Sequence, residues 1–224
     1  MRSSPRAKEV TVDREVWEQL LRCEGEPVLA VSLCRPKLPE ESAALRRVER
    51  YYRRLAQVWK KRWTSALYAL ACEAARSARE SSRPVEVWRA ELHFTVTYQD
   101  QALLSLLLQI REQRCGGAVI ELRQGDTWDL TTGAPRTLAS FFPSARGVKR
   151  RLLAAAGEQI QERLAGGESE YYEDWPRLLR RRFSPERFYL TAADCLAFFY
   201  PPSVLSPPLE GFPTFSLLTA SNNL

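Results

Sequence analysis

The hydrophobic period changes twice along the first half of the chain. Residues 27–34 form a short apolar run bounded by prolines, which predicts a buried strand. Residues 40–79 repeat apolar positions every three or four residues and therefore predict one long helix. Residues 88–98 alternate between apolar and polar side chains, which is typical of a strand that buries one face. A short amphipathic helix is predicted earlier, around Val16 and Leu21.

The second half mixes short strands with helices and proline-rich loops. Further strands are predicted at 102–111, 118–123, 127–130, 187–191, 195–200 and 212–218, and further helices at 148–164 and 175–181. Strands joined by such short turns favour an antiparallel meander. The sequence therefore predicts an α+β fold, in which an antiparallel sheet packs against one long helix and a second helical region precedes the closing C-terminal strands.

The same pattern predicts the domain organisation and the core. Residues 1–26 are an N-terminal extension with the short helix, and 27–220 are one α+β domain with subregions at about 27–114 and 115–220. The apolar stripe of the long helix is Leu45, Val48, Tyr52, Leu55, Trp59, Trp63, Ala66 and Leu70. The aromatic residues expected in the core are Trp59, Trp63, Trp88, Phe94, Tyr98, Trp128, Phe141 and Phe188.

Positive charge is concentrated on the long helix. The chain of 224 residues has a formal net charge of +6, and eight basic residues lie between Leu45 and Trp63 with one acid, Glu49. At about 100° per residue, seven of these eight, all except Arg62, fall opposite the apolar stripe. Such a face either contacts solvent or binds a polyanion such as nucleic acid. The candidate polyanion contacts, called the basic face below, are Arg46, Arg50, Arg53, Arg54, Lys60 and Lys61.

Several classes of function conflict with the composition. A single histidine and five scattered cysteines without a CxxC pair predict no metal site and favour free, reduced thiols. Gly116-Gly117 lacks the flanking residues of a phosphate loop, so no cofactor is predicted. No apolar run reaches the roughly 20 residues of a transmembrane helix, and no apolar region follows the basic N-terminus. As written, the chain is predicted to be cytoplasmic.

Two features of the sequence contain residue types used in catalysis, but neither predicts a catalytic residue. His93 lies beside Glu91 and Thr95 on one face of a predicted strand, where an exposed histidine without a nucleophile is expected. Four acids follow Gly166-Gly167, and a pair of them could support glycosidase chemistry if they converged in a cleft. A solvated loop is the simpler explanation. These acids are Glu168, Glu170, Glu173 and Asp174.

The order of motifs in the second half resembles a known bacterial family. The segments that carry this resemblance are 115–118 (CGGA), 128–133 (WDLTTG), 137–142 (TLASFF), 187–191 (RFYLT) and 196–200 (LAFFY), followed by Pro207, Gly211 and Phe215. They are similar to the RsiV-like domain, an extracytoplasmic domain of lysozyme-sensing anti-sigma factors that also accompanies peptidoglycan deacetylases. The chain departs from this pattern at Val119, where the family usually has histidine.

Three hypotheses of function follow. The resemblance implies a non-catalytic binding domain that recognises a macromolecular partner, a protein such as lysozyme or a cell-envelope component. The contacts would come from the polar face of the sheet and its loops. The first alternative is an enzyme, a carbohydrate or cell-wall hydrolase or a deacetylase, with two acids and His93 in one cleft. The second is a basic module that binds nucleic acid or another polyanion through the basic face.

Overall fold

The computed structural model describes residues 10–117 and 119–219 and confirms the α+β fold. The chain divides into two compact units. Unit 1 runs to Thr95 and also contains Leu108–Leu122 and Leu130–Ala134, and unit 2 comprises the remaining segments. Ala118 of the family motif, residues 1–9 of the predicted extension and residue 220 of the predicted domain lie outside the described residues. Within the described ranges, no helix is both long and apolar enough to cross a bilayer.

Six strands form one sheet in the order in which they occur along the chain. They are β1 (Asp13–Cys23), β2 (Glu26–Lys37), β3 (Trp88–Gln99), β4 (Leu103–Gln113), β5 (Val119–Asp129) and β6 (Ala134–Pro135). β1 and β2 form an antiparallel hairpin, whereas β2 and β3 are parallel. The parallel pair departs from the predicted antiparallel sheet because the long helix carries the chain back before β3 begins.

The short N-terminal helix predicted around Val16 and Leu21 is wrong. These residues lie in β1, which pairs with β2 along its whole length, with one irregularity between Leu21 and Arg22. In residues 16–21 the apolar side chains come in adjacent pairs, and this spacing fits a helix almost as well as it fits a strand. The strand forms because β2 supplies its backbone with hydrogen-bond partners, and a local pattern of periodicity does not show such partners.

The long helix is broken by one wide turn. α1 covers Ala43–Arg62, a π-helical turn covers Trp63–Leu67, and α2 covers Tyr68–Glu80. α1 begins at Ala43 rather than at residue 40, because the Ser42 hydroxyl accepts a hydrogen bond from the Leu45 amide at 3.1 Å.

The wide turn changes which residues of the helix are buried. It rotates the buried face onto Leu67 and Ala71, so Ala66 and Leu70, which the regular stripe placed in the core, are exposed. Of the predicted core aromatics, Trp63, Trp88, Phe94, Trp128 and Phe188 are buried. The other three are only partly buried: Trp59, Tyr98 and Phe141.

Unit 2 has a small sheet of its own. Its helices are α3 (Val148–Gly166) and α4 (Trp175–Arg181), and its antiparallel strands, in spatial order, are β7 (Phe188–Ala192), β8 (Cys195–Phe199) and β9 (Thr214–Leu218). Short 3-10 turns at Leu138–Phe141 and Pro208–Glu210 connect these elements. The core around α3 includes Leu152, Ile160, Leu190, Phe198 and Phe215.

Candidate binding surface

Among the described residues, no helix of unit 1 packs on one of the two faces of its sheet. α1 and α2 pack on β2, where Val31 and Leu33 are buried, and the alternate residues Ala30 and Ser32 stay partly exposed. The same alternation continues on β3. This helix-free surface, called the open face below, consists of Val16, Glu18, Leu20, Ala30, Ser32, Arg89, Glu91 and His93.

The strand register makes a groove across the open face. Ala30 lies between Leu20 of β1 and Arg89 of β3. In the next row Ser32 lies between Glu18 and Glu91. Because the middle strand carries only small side chains between larger ones, a groove of about 580 Å³ runs over Ala30 and Ser32.

Charged and apolar groups alternate around this groove. Ser32 Oγ donates to Glu18 Oε1 at 3.1 Å, which orients one wall. Val16 and Leu20 are 57% and 50% exposed on β1. β1 is also the first strand of the sheet, and its outer edge pairs with no other described strand. Exposed apolar side chains beside a groove and a sheet edge are features of protein-recognition sites.

His93 lies on this face as the sequence predicted. It is exposed, and its Nε2 is 2.9 Å from Oε1 of Gln109 on β4. Gln109 occupies one ring nitrogen, and no serine or cysteine nucleophile is bonded to the ring among the described contacts. The imidazole is therefore part of a polar surface.

The basic face of α1 is exposed, and three of its six cations contact other groups of the chain. Arg53 forms an ion pair with Glu40 at 2.6 Å and Arg46 donates to the Glu40 carbonyl at 3.0 Å. Lys60 Nζ lies 4.0 Å from the centre of the Trp17 ring. For the other three cations, Arg50, Arg54 and Lys61, no such contact is found in the part of the chain that the structure describes.

The only acid of that helical segment is withdrawn from the surface. Glu49 is 2% exposed, lies 2.7 Å from Arg35 and accepts a hydrogen bond from the Leu38 amide at 2.9 Å. Glu49 also accepts a hydrogen bond from Arg53, one helical turn away, at 3.4 Å, so this buried acid is shared between Arg35 of β2 and the basic face.

The acidic cluster near Gly167 does not form a buried pair. Glu168, Glu170 and Glu173 are exposed, and Asp174 forms an ion pair with Arg177 of α4. Among residues 10–117 and 119–219, no group of three or more histidine, cysteine and acidic side chains is placed to hold a metal ion.

Sequence reasoning missed a groove of about 930 Å³ between α3 and α4 in unit 2. Trp175 lies 3.9 Å from where a β-carbon on Gly157 would be, so the glycine lets the indole approach α3. Lys149, Arg150 and Arg180 line the same groove. The only signal in the sequence was a glycine in the middle of an otherwise regular helix, which is unfavourable without a packing reason.

Comparison with known proteins identifies the fold. No protein-family model and no curated protein matches the sequence. A crystal structure of a DUF3298 family member from Bacteroides fragilis superposes with a TM-score of 0.68 at 12% identity, and covers 94% of this chain and 92% of its own. A DUF3298 family protein from Pseudomonas aeruginosa gives 0.61 at 16% identity, with 95% and 92% coverage.

The chain has the fold of DUF3298 proteins. At these identities the likeness concerns the fold alone, and it extends over nearly the full length of both structures. The candidate contacts on the open face and on the basic face are features of this chain.

Proposed function

We propose that this protein is a non-catalytic binding domain that recognises a protein partner through the open face of unit 1. The observation that carries the proposal is the groove over Ala30 and Ser32, which lies beside exposed Leu20 and the edge of β1. A partner segment could place side chains in the groove while its charged groups meet Glu18, Arg89 and Glu91.

The motif resemblance supports the choice of partner. We propose kinship with RsiV-like domains, for which the DUF3298 fold supplies a compatible architecture, and a partner that is a protein such as lysozyme or another cell-envelope component. The cytoplasmic location predicted from the sequence and the extracytoplasmic one implied by the resemblance lead to different partners. Lysozyme is therefore the first protein to test.

The basic face supports a second candidate function. Arg50, Arg54 and Lys61 form an exposed patch without acid partners among the described residues, so phosphate groups would meet little internal competition. We rank this below protein recognition because Arg46, Arg53 and Lys60 already have partners within the chain. No catalytic residue and no cofactor are part of either proposal.

The test measures lysozyme binding, and capture from a cell-envelope extract, by three variants. Ala30→Lys fills the groove with a long side chain, and Gln57→Lys adds the same charge on the exposed side of α1 as a matched control. We expect at least a tenfold loss of affinity for Ala30→Lys and none for Gln57→Lys, with unchanged circular dichroism for both. Full binding by folded Ala30→Lys would refute the open-face proposal.

The third variant separates the two candidate functions. The double change Arg50→Ala with Arg54→Ala removes exposed charge and should alter the free energy of unfolding by no more than about 0.5 kcal/mol. On the open-face proposal it keeps full binding to the captured partner. Loss of binding together with a shallower salt dependence would favour the polyanion module instead.

A further inference from the structure

Two buried cysteines of unit 1 face each other. Cys23 is the last residue of β1 and Cys72 lies in α2, and they are 5% and 7% exposed. Interaction with the Cys72 thiol, and then burial, raises the pKa of the Cys23 thiol above its ordinary value.

The surrounding contacts hold α2 against the end of the β1–β2 hairpin. Tyr68 and Arg76 lie eight residues apart, about 80° apart around the helix axis, and Cys72 lies halfway between them. The Tyr68 hydroxyl donates to the Arg22 carbonyl at 2.7 Å, and Arg76 Nε donates to Glu24 Oε1 at 3.1 Å. These two contacts hold α2 against the hairpin on both sides of Cys72.

Cys72 is midway between these two contacts on α2, and Cys23 is midway between them on the hairpin. The neighbouring contacts therefore place the two cysteines opposite each other where α2 meets the hairpin. Arg79 strengthens the same attachment, since it donates to the Cys23 carbonyl at 3.2 Å and forms an ion pair with Glu26 at 3.0 Å.

We propose that Cys23 and Cys72 are a site of reversible disulfide formation. The oxidant is a low-molecular-weight disulfide. One thiol loses its proton and its sulfur attacks the oxidant, which releases one small thiol and leaves a mixed disulfide. The second cysteine loses its proton and displaces the other small thiol, so that one protein S–S bond replaces one small-molecule S–S bond.

The bond would fasten α2 to the strand that borders the open face. Because the cross-link closes a loop that includes β2 and the long helix, it restricts the unfolded chain and stabilises unit 1. The remaining cysteines lie on other elements: Cys34 on β2, Cys115 in a 3-10 turn and Cys195 on β8. They serve as internal controls.

The experiment incubates the folded full-length protein with oxidised glutathione, denatures it and alkylates the free thiols. We expect intact-mass data to show loss of two alkylation sites without a glutathione adduct at Cys23 or Cys72. Peptide mapping should show a cross-link between those two residues, and the melting temperature should rise by several degrees and return after reduction.

Variants decide whether the pair is specific. Cys72→Ala should abolish the cross-link and the rise in melting temperature, whereas Cys195→Ala should preserve both. The wild-type peptide map stands as a test even if Cys72→Ala folds poorly. Free thiols at both positions after prolonged oxidation, or a cross-link of Cys23 to another cysteine, would overturn the proposal.

Discussion

The cores of the two units are stabilised by different chemistry. Unit 1 buries charge within its apolar core: Arg35 and Glu49 are paired at 2.7 Å, and Glu112 accepts hydrogen bonds from Trp63 and Arg62, each at 3.0 Å. A buried charge is tolerated only in the geometry that supplies its partners. Unit 1 therefore depends on the placement of a few directional contacts as well as on packing.

Unit 2 relies on aromatic packing around α3. Phe215 lies with its ring centre 5.6 Å from that of Phe198 and 6.2 Å from that of Tyr200. The buried Tyr200 hydroxyl is hydrogen-bonded, since it donates to the Leu179 carbonyl at 2.7 Å. Contacts of this kind tolerate side chains of similar size. Positions that are equally buried in the two units should therefore differ in how far a polar or an apolar substitution lowers the free energy of unfolding.

The largest effect is expected at Trp63 in unit 1. Trp63→Ala removes a side chain that is fully buried and a hydrogen-bond donor to Glu112, so it should lower the free energy of unfolding by about 3–5 kcal/mol. Trp63→Phe keeps one aromatic ring but loses the second ring of the indole and the donor, and should cost about 1–3 kcal/mol. Urea denaturation measures both. A near-neutral Trp63→Phe would mean that the polar contact does not stabilise unit 1.

A smaller effect is expected for a size-preserving change in unit 2. Phe215→Met replaces the ring by an unbranched apolar side chain of similar length, so ring contacts with Phe198 and Tyr200 are lost. This should lower the free energy of unfolding by about 1.5 kcal/mol or less. The same denaturation measurement applies. A loss as large as that of Trp63→Ala would show that unit 2 is as intolerant as unit 1, and the contrast would fail.

The smallest effect is expected in the pH dependence of the stability of unit 1. Burial alone would raise the pKa of the Glu112 carboxyl, but hydrogen bonds from Arg62, Arg114 and Trp63 together outweigh it, and the pKa lies below its ordinary value of 4.5. Because the folded pKa is depressed, the carboxylate stabilises the protein above the unfolded-chain pKa. This contribution is lost as the pH falls through the folded value.

Glu112→Gln removes this titration and should therefore be less stable than the wild type at pH 7. The difference in free energy of unfolding should shrink progressively below pH 4.5, the ordinary pKa from which the folded value is lowered. Denaturation at a series of pH values gives the comparison. A difference that stays constant down to pH 2 would contradict the assignment of Glu112 as an acid-sensitive group of unit 1.

The sequence by itself determined the elements with a strong, isolated period. The alternation at 88–98 predicts β3, with His93 on its exposed face, and the run at 148–164 predicts α3. Burial of one face follows directly from these patterns because each strand or helix presents its side chains at a fixed angular spacing. The α+β class followed from the order of these elements.

Tertiary structure decided the features that depend on a distant partner. β1 is a strand because β2 pairs with it, and Ala66 is exposed because one wide turn at Trp63–Leu67 rotates the helix. Likewise, Glu49 is buried because Arg35, fourteen residues away, compensates its charge. The groove over Ala30 exists because the register aligns small residues between larger ones. Local periodicity contains no information about which strands pair or which charges meet, and those long-range contacts create the candidate surface.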